Sequence, residues 1–411
     1  MDKRSKPHIL MLLTQDLDSP SGLGRYFPLA KYLVREDFQV TILALHSNFA
    51  EVEEKIVVQE GVVIHYVAQM HVRKTGNKTH YFSPLQLLKV SWQALKKLYS
   101  EAINEQPDLI FVGKPHPMNS LAALRLAKKK SIPLVVDCDD FEAESNKTQG
   151  NWQKRVLAYF EQMLPKKADL VTTNTYFMLD RLSSSGVPKE KILYLPNGVD
   201  RERFFEPSAE EVARLREELG LNGFKVVGYF GSLNLANHPV DLLVRSFAEV
   251  VESGGNFKLL IVGSGGDFEK LQTLAGELGI SNRVVFTGRV NPDKMNLYYK
   301  LADVSVDPAN DTMADRGRCP LKLFESWQMG VPVVTSDVGD RKILAGELSA
   351  ALLTEPANEK SMAQGLLSLL TNAKLRQQMS NAASLRAKSY DWASLARTLR
   401  AKLEGLLNSK S

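Results

Sequence analysis

Short apolar runs bounded by turn residues recur along this chain and alternate with segments of helical period. Residues 8–13, 40–44, 109–112, 134–137, 170–173 and 192–194 read as buried strands, each followed by a polar or glycine-containing turn. Helical patterns follow several of them, at residues 24–35 and 119–130. The second half repeats the scheme, with strands expected at 225–229, 257–262, 283–286, 304–307 and 331–335. Helices are expected there at 240–253, 268–278, 292–301, 321–329 and 362–371. Strands apolar on both faces and alternating with helices predict parallel sheets covered on both sides. The fold class expected is α/β, with two doubly wound Rossmann-like domains facing a cleft. The boundary is placed within residues 197–222, which carry Pro196-Asn197-Gly198 and then a charged helical segment at 209–220. No short fixed period appears, so a solenoid is not expected.

The length of 411 residues agrees with two domains rather than one core. Cys138 and Cys319 are too few for a disulfide framework and read as free thiols in a reducing compartment. The apolar run at 9–13 is too short for a signal peptide, and no window reaches the length of a membrane span. A cytoplasmic protein is expected. The formal net charge is +5; residues 1–200 carry 26 Lys and Arg against 22 Asp and Glu, and the remainder 26 against 25. That excess is too weak to argue for nucleic acid, which is not expected as a partner, and leaves room for an anionic substrate or membrane surface.

Ligands of doubly wound sheets bind beyond the carboxyl ends of the strands, so strand-to-helix turns are where chemistry is sought. "DLDSPSGLGRYFPLAKYL" (residues 16–33) follows the first strand. Its Gly22 and Gly24 let the backbone approach a ligand at a helix start, where an anion is favoured. "GKPHPMNS" (113–120) holds Lys114 and His116 in a backbone restricted by prolines. "VVDCDDFEAES" (135–145) clusters Asp137, Asp139, Asp140, Glu142 and Glu144, which suit hydroxyl contacts, a hard cation or a helix cap. "GYFGSLNLANHPVDLL" (228–243) offers Gly231 and Ser232 for phosphate or sugar. "LLIVGSGGDFEKL" (259–271) places Gly263 in a glycine turn, and "VVFTGRVNPDKMNLYYKLADVSVDP" (284–308) places Arg289 and Val290 where backbone groups can read a base edge.

The densest stretch is "DRGRCPLKLFESWQMGVPVVTSDVGD" (315–340). Arg316, Arg318 and Lys322 precede or open a helix and suit a diphosphate. Glu325, read as lying near the N-terminal turn of that helix, can accept two hydrogen bonds from the vicinal hydroxyls of a ribose.

Taken in order, "LPNGVDRERF" (195–204), "VVFTGRV" (284–290) and "LKLFESWQMGVPVVTSDVGD" (321–340) resemble the family 4 type of glycosyltransferases (glycosyl transferases group 1) with the GT-B fold. "SYDWASLARTL" (389–399) resembles that family's closing helix. The resemblance implies an N-terminal acceptor-side domain at 1–200, a C-terminal nucleotide-sugar-binding domain at 201–390, and a helix at 391–411 returning to the first. It implies a hexosyltransferase-type enzyme that moves a sugar from a nucleotide diphosphate sugar to a hydroxyl acceptor, with retention of anomeric configuration. No cofactor or metal is then required for transfer, since basic side chains and N–H groups stabilise the leaving diphosphate. Glu325 matches the family's ribose-binding glutamate, and Gly22 and Gly24 its glycine loop.

Departures are also legible. The family's first glutamate, eight positions earlier, falls on Gly317, with Asp315 near by at the wrong spacing. Its Arg and Lys after the first strand of the second domain fall on Ser232 and about His238, and a histidine after the strand at 134–137 is replaced by Asp139. Catalytic roles are therefore assigned to His116, Asp139, Arg318 and Lys322. Donor binding is assigned to Gly22, Gly24, Gly231, Ser232, Gly263, Arg289, Val290, Arg316 and Glu325. The acceptor is a glycan, a lipid-linked glycan or a small molecule. The segment at 73–99, basic with a partly amphipathic helix at 85–99, allows peripheral contact with the inner face of a membrane. The plainer and favoured reading is a helix packed on the sheet with a solvated lysine face. Two other functions share the fold: a binding scaffold that has lost transfer, and a nucleotide-sugar epimerase.

Overall fold

The structure is a computed structural model that describes residues 6–75, 78–145, 150–347 and 349–410. Residues 76 and 77, within the basic segment singled out above, and the basic start of the chain through residue 5 lie outside the described residues. The chain divides into two compact units. The first comprises Met1–Asn197, Gly317–Cys319 and Trp392–Ser411; the second comprises Gly198–Arg316 and Pro320–Asp391.

The first unit is built on an eight-stranded sheet. From one edge the strands are Ile192–Tyr194, Leu170–Thr173, Leu134–Cys138, Leu109–Gly113, His8–Leu13, Gln39–His46, Val62–Gln69 and Ile56–Gln59. All neighbours are parallel except the last pair. That hairpin turns at Glu60 and Gly61, whose φ values of 51° and 80° are what a two-residue hairpin turn requires. The hairpin is absent from the sequence reading because Ile56 and Val58 face solvent and break the buried-run signature.

The central strands are apolar on both sides because both faces are covered. Helices Pro84–Asn104, Pro117–Lys130 and Asn151–Lys167 pack on one face over Leu10, Leu12, Ile110 and Val136. Helix Phe27–Arg35 and the C-terminal helix Trp392–Lys410 cover the other, with Ile9, Met11, Phe111 and Trp392 in one cluster. The closing helix thus belongs to the first unit, as the resemblance implied. Trp392 is fully buried and its Nε1 donates to the Gly24 carbonyl at 3.1 Å. Burying a side chain of that size contributes roughly 2–3 kcal/mol.

The second unit carries six parallel strands in the order Val284–Gly288, Phe257–Val262, Lys225–Phe230, Val304–Asp307, Val333–Ser336 and Ala351–Thr354. The order runs outward in both directions from the first strand of the unit, so consecutive crossovers lie on opposite faces on either side of it. This is the doubly wound arrangement that opens a crevice at the strand ends.

Candidate functional site

In the first unit the order of strands reverses between His8–Leu13 and Leu109–Gly113. The loops leaving these two strands carry Thr14 and His116, whose Oγ1 and Nδ1 lie 2.7 Å apart. His116 caps the helix Pro117–Lys130, so the flanking prolines act as a helix entry. Its Nε2 meets Glu142 Oε2 at 2.9 Å. The ring of His71 stands edge-on to that of His116 at 6.5 Å, and burial, helped by His116, pushes the pKa of His71 down to about 4.

Lys114 adopts a left-handed backbone at φ 59°. Its ammonium is 2.7 Å from Asp140 Oδ2, 2.7 Å from Glu142 Oε1 and 3.4 Å from Asp139 Oδ1. Despite burial, Lys114 and the hydrogen-bonded His116 hold the Glu142 carboxyl well below the usual range. Burial wins instead at Asp139, whose pKa is pushed well up. The three carboxylates that could converge on a hard cation are thus already engaged by an ammonium. Beneath this cluster, Glu161 accepts the amides of Glu142 and Ala143 at 2.6 and 3.3 Å, fixing the start of their helical turn.

The helix start at the glycine loop differs from the expected one. The segment expected to be one helix from residue 24 opens as a π-helical turn, Gly22–Tyr26, in which the Phe27 amide reaches Gly22 O, and becomes an α-helix at Phe27–Arg35. The Gly22 amide is already given to Ser19 Oγ at 3.1 Å. A Cβ at Gly22 would lie 2.5 Å from Asp16 O, so the glycine is required for the loop to fold back on itself. Gly24 O receives the Trp392 indole. Next to them Arg25, fully buried, grips Asp137 through two bonds of 2.7 and 2.6 Å and reaches Leu195 O and Asn197 Oδ1. Along these strand ends Gln15 Nε2, Asp16 Oδ1, Tyr26 OH and Asp139 Oδ1 are buried without a hydrogen-bond partner among the described residues.

In the second unit the corresponding reversal falls between Lys225–Phe230 and Val304–Asp307. Gly231 follows the first of these with φ 152°. A Cβ on Gly263 would lie 1.8 Å from Gly231 O, so the two glycines let adjacent loops touch backbone to backbone. The aliphatic end of Lys322 lies beside Gly231, with Cε 3.5 Å from where a Cβ would be. Lys322 Nζ meets Asp307 Oδ1 at 3.0 Å, while Arg341 Nε meets Oδ2 at 2.8 Å. These two cations outweigh burial and hold the Asp307 carboxyl far below its ordinary range. Tyr229 donates to the Ser232 carbonyl at 2.8 Å and fixes that turn.

Glu325 corrects the sequence reading. Helix Leu321–Gln328 places it past the first turn, where the helix dipole has little effect. What orients it is Tyr299, whose hydroxyl donates to Oε2 at 2.6 Å. Glu325 is half-buried, and Tyr299 is the hydrogen-bonding partner of its carboxylate among the described residues. A carboxylate has room for further donors. Arg316 is exposed and pairs with Asp311 at 2.6 and 2.8 Å. Asp315 is buried and takes a hydrogen bond from Thr312 in its own helical turn. Arg289 is exposed, Val290 and Ser232 are half-buried, and Gly317, Arg318 and Cys319 belong to the short excursion grouped with the first unit.

Sequence reasoning gave no role to Arg25, Thr14, Tyr299, Asp307 or Arg341. A charged residue ending an apolar strand, as Asp307 does in "VSVDP", was the available signal for the last pair.

A family profile described as "Glycosyltransferase Family 4" matches residues 22–203, and one described as "Glycosyl transferases group 1" matches residues 212–386. The chain belongs to this glycosyltransferase family, whose members move a sugar from a nucleotide-sugar donor with retention. It is 29% identical over 309 residues to the D-inositol 3-phosphate glycosyltransferase of Corynebacterium jeikeium, covering 73% of this chain and 68% of that protein. It is 32% identical over 174 residues to the GDP-mannose-dependent alpha-(1-6)-phosphatidylinositol monomannoside mannosyltransferase of Mycolicibacterium smegmatis, covering 42% of this chain and 45% of that one. Sucrose-phosphate synthase from Thermosynechococcus elongatus superposes with a TM-score of 0.78 at 15% identity over 98% of this chain and 100% of that one, a likeness of fold.

Proposed function

We propose that the second unit binds a nucleoside diphosphate sugar and that the chain transfers its sugar to a hydroxyl of a lipid-linked or polyol acceptor. The observation that carries the donor reading is Glu325: a half-buried carboxylate, oriented by Tyr299, with capacity left for a ribose diol. Lys322 beside Gly231, with Arg316 and Arg318, offsets charge on the departing diphosphate. Gly231, Ser232, Gly263, Arg289 and Val290 supply backbone and side-chain contacts to phosphate and base. In the transfer the acceptor oxygen bonds to the anomeric carbon as the bond from that carbon to the diphosphate breaks. The hydroxyl proton passes to the departing phosphate oxygen. His116 and Asp139 are assigned to the acceptor hydroxyl, and Gly22 and Gly24 to shaping the loop beside it. A lipid or polyol acceptor is supported by the substrates in the two relatives' names.

Calorimetric titration of UDP, GDP, ADP and TDP into the wild type and Glu325→Ala tests this. One nucleotide is expected to bind the wild type and to lose at least about tenfold in affinity in a folded mutant, the equivalent of a charge-assisted hydrogen bond of about 1.4 kcal/mol. Unchanged affinity in the mutant would overturn the assignment of Glu325.

A further inference from the structure

The loop that leaves strand His8–Leu13 holds two buried polar atoms for which the fold supplies no partner. Asp16 is 1% exposed, and its Oδ1 has no hydrogen bond among the described residues. The Nε2 of Gln15 beside it is buried and unpartnered in the same way. The loop is tied down around them. Ser19 gives its amide and its hydroxyl to the Asp16 carbonyl at 3.3 and 2.7 Å, and Gly22 packs against that carbonyl. The Thr14 hydroxyl lies 3.4 Å from Gln15 Oε1, which leaves the amide nitrogen as the unused end. A buried acceptor and a buried donor left unmade cost stability until a ligand or water completes them. These two stand at the reversal point of the sheet, where doubly wound folds bind ligands.

The charge around these atoms narrows what can complete them. Asp16 Oδ2 lies 3.5 Å from Lys74 Nζ, and Asn48 fixes the Lys74 backbone through bonds of 3.1 and 2.7 Å. Lys114, on the loop after the neighbouring strand, is shared by Asp139, Asp140 and Glu142. Arg25 is spent on Asp137, and Arg73 is exposed, over the Phe82 ring at 5.6 Å. Burial, helped by His116, keeps His71 uncharged at neutral pH. Even with Asp139 protonated, which burial favours, the other three carboxylates outnumber the two ammonium groups. A phosphate monoester brings close to two negative charges and only acceptor oxygens. It can take a hydrogen bond from Gln15 but has none to give Asp16. A hydroxyl both donates and accepts, so one ring hydroxyl, or two adjacent ones, completes both atoms without adding charge.

We propose that Asp16 and Gln15 select the acceptor: they read neighbouring hydroxyls of an uncharged ring, and the carboxylate of Asp16 turns away a phosphorylated one. This rests on the acceptor reading above and narrows it, since His116 and Asp139 serve the hydroxyl that reacts and Asp16 and Gln15 the hydroxyls beside it. The ring can belong to a free polyol or to a glycan, both of which present the same adjacent hydroxyls.

Saturation-transfer NMR on the full chain reads weak ring binding directly. The probes are myo-inositol, methyl α-mannopyranoside and myo-inositol monophosphate; the first two tell a polyol from a glycan ring. One uncharged ring is expected to bind at least about ten times more tightly than the phosphate ester. Asp16→Asn keeps the shape and removes the charge. It should weaken the uncharged ring about tenfold, the loss of one charge-assisted hydrogen bond, and strengthen the phosphate ester, which then meets Lys74 without a competing carboxylate. A purely structural Asp16 would instead weaken both alike, and that result would overturn the proposal. Lys74→Gln, at a half-buried position, gives an independent arm. It should widen the preference for the uncharged ring, because Asp16 is then uncompensated; an unchanged preference would count against the proposal with equal force. A phosphate ester that binds the wild type as well as either ring does, or no binding of either ring, would also overturn it. Titration of nucleotides into the same proteins reads the second unit, so absence of nucleotide binding would strike the donor reading and leave the ring comparison standing.

Discussion

Lys114 in the first unit and Lys322 in the second both stand at the carboxyl end of a parallel sheet beside its reversal point, yet they are held differently. Lys114 is shared by three carboxylates and locked by a left-handed backbone. Lys322 shares one carboxylate, Asp307, with Arg341, and lies along Gly231. The same contrast runs through their surroundings. Arg25 and Asp137 are fully buried and mutually satisfied, whereas Glu325 is half-buried and held by one hydroxyl. The first unit uses its charges to set the shape of two loops. The second leaves charge with capacity for a ligand. Density of charge in a sequence therefore says little about which charges are free to act; burial and partner count decide it.

That contrast can be broken most severely at Arg25. Arg25→Met removes one partner of a buried pair and leaves Asp137 uncompensated, so the first unit should lose roughly 3–5 kcal/mol, read as a fall in the thermal midpoint. A loss within the range of a surface substitution would show that the pair does not organise the loop. A smaller effect is expected at Glu161. Burial, and then the charge of Glu142, push its pKa up to about 7 from the ordinary 4.5. The folded state then keeps a proton that the unfolded chain releases. Stability from this group is full below about pH 4.5 and declines as the pH rises to about 7, by about 3 kcal/mol. Glu161→Gln should flatten that decline in thermal midpoints measured across the range; an unchanged slope would remove Glu161 as its source. The smallest change belongs to the second unit. Tyr299→Phe deletes one hydrogen bond to Glu325 and should cost about 1 kcal/mol of stability. It should also weaken nucleotide binding, because Glu325 loses the group that orients it. Stability lost with affinity unchanged would separate Tyr299 from the site.

Much of this architecture was legible because parallel strands buried on both faces leave continuous apolar runs, and the turns after them carry glycine and charge. Ile56–Gln59 escaped because its residues are mostly exposed, and Asn151–Lys167 because its polar residues mask its buried stripe. Glu325 was legible through its setting in "LKLFESWQMGVP". Tyr299 was not, since nothing local in a sequence links it to a carboxylate 26 positions away. Arg25 and Asp137 are 112 positions apart, and only the sheet brings them together. Gly22 was seen as a ligand contact, whereas the close approach of Asp16 O gives it a structural reason to be glycine.

The closing helix has a consequence for synthesis. Leu395, Ala396, Leu399 and Leu403, with Trp392, complete the core around Ile9, Met11 and Phe111, so one face of the first sheet waits for residues made after the second unit. Between the end of the first stretch at Asn197 and the return at Trp392, the ribosome must make the whole second unit. At bacterial or eukaryotic elongation rates of about 5–20 residues per second this takes roughly 10–40 s. During that interval the apolar face of helix Phe27–Arg35 has no permanent cover, and a chaperone has a defined window in which to hold it.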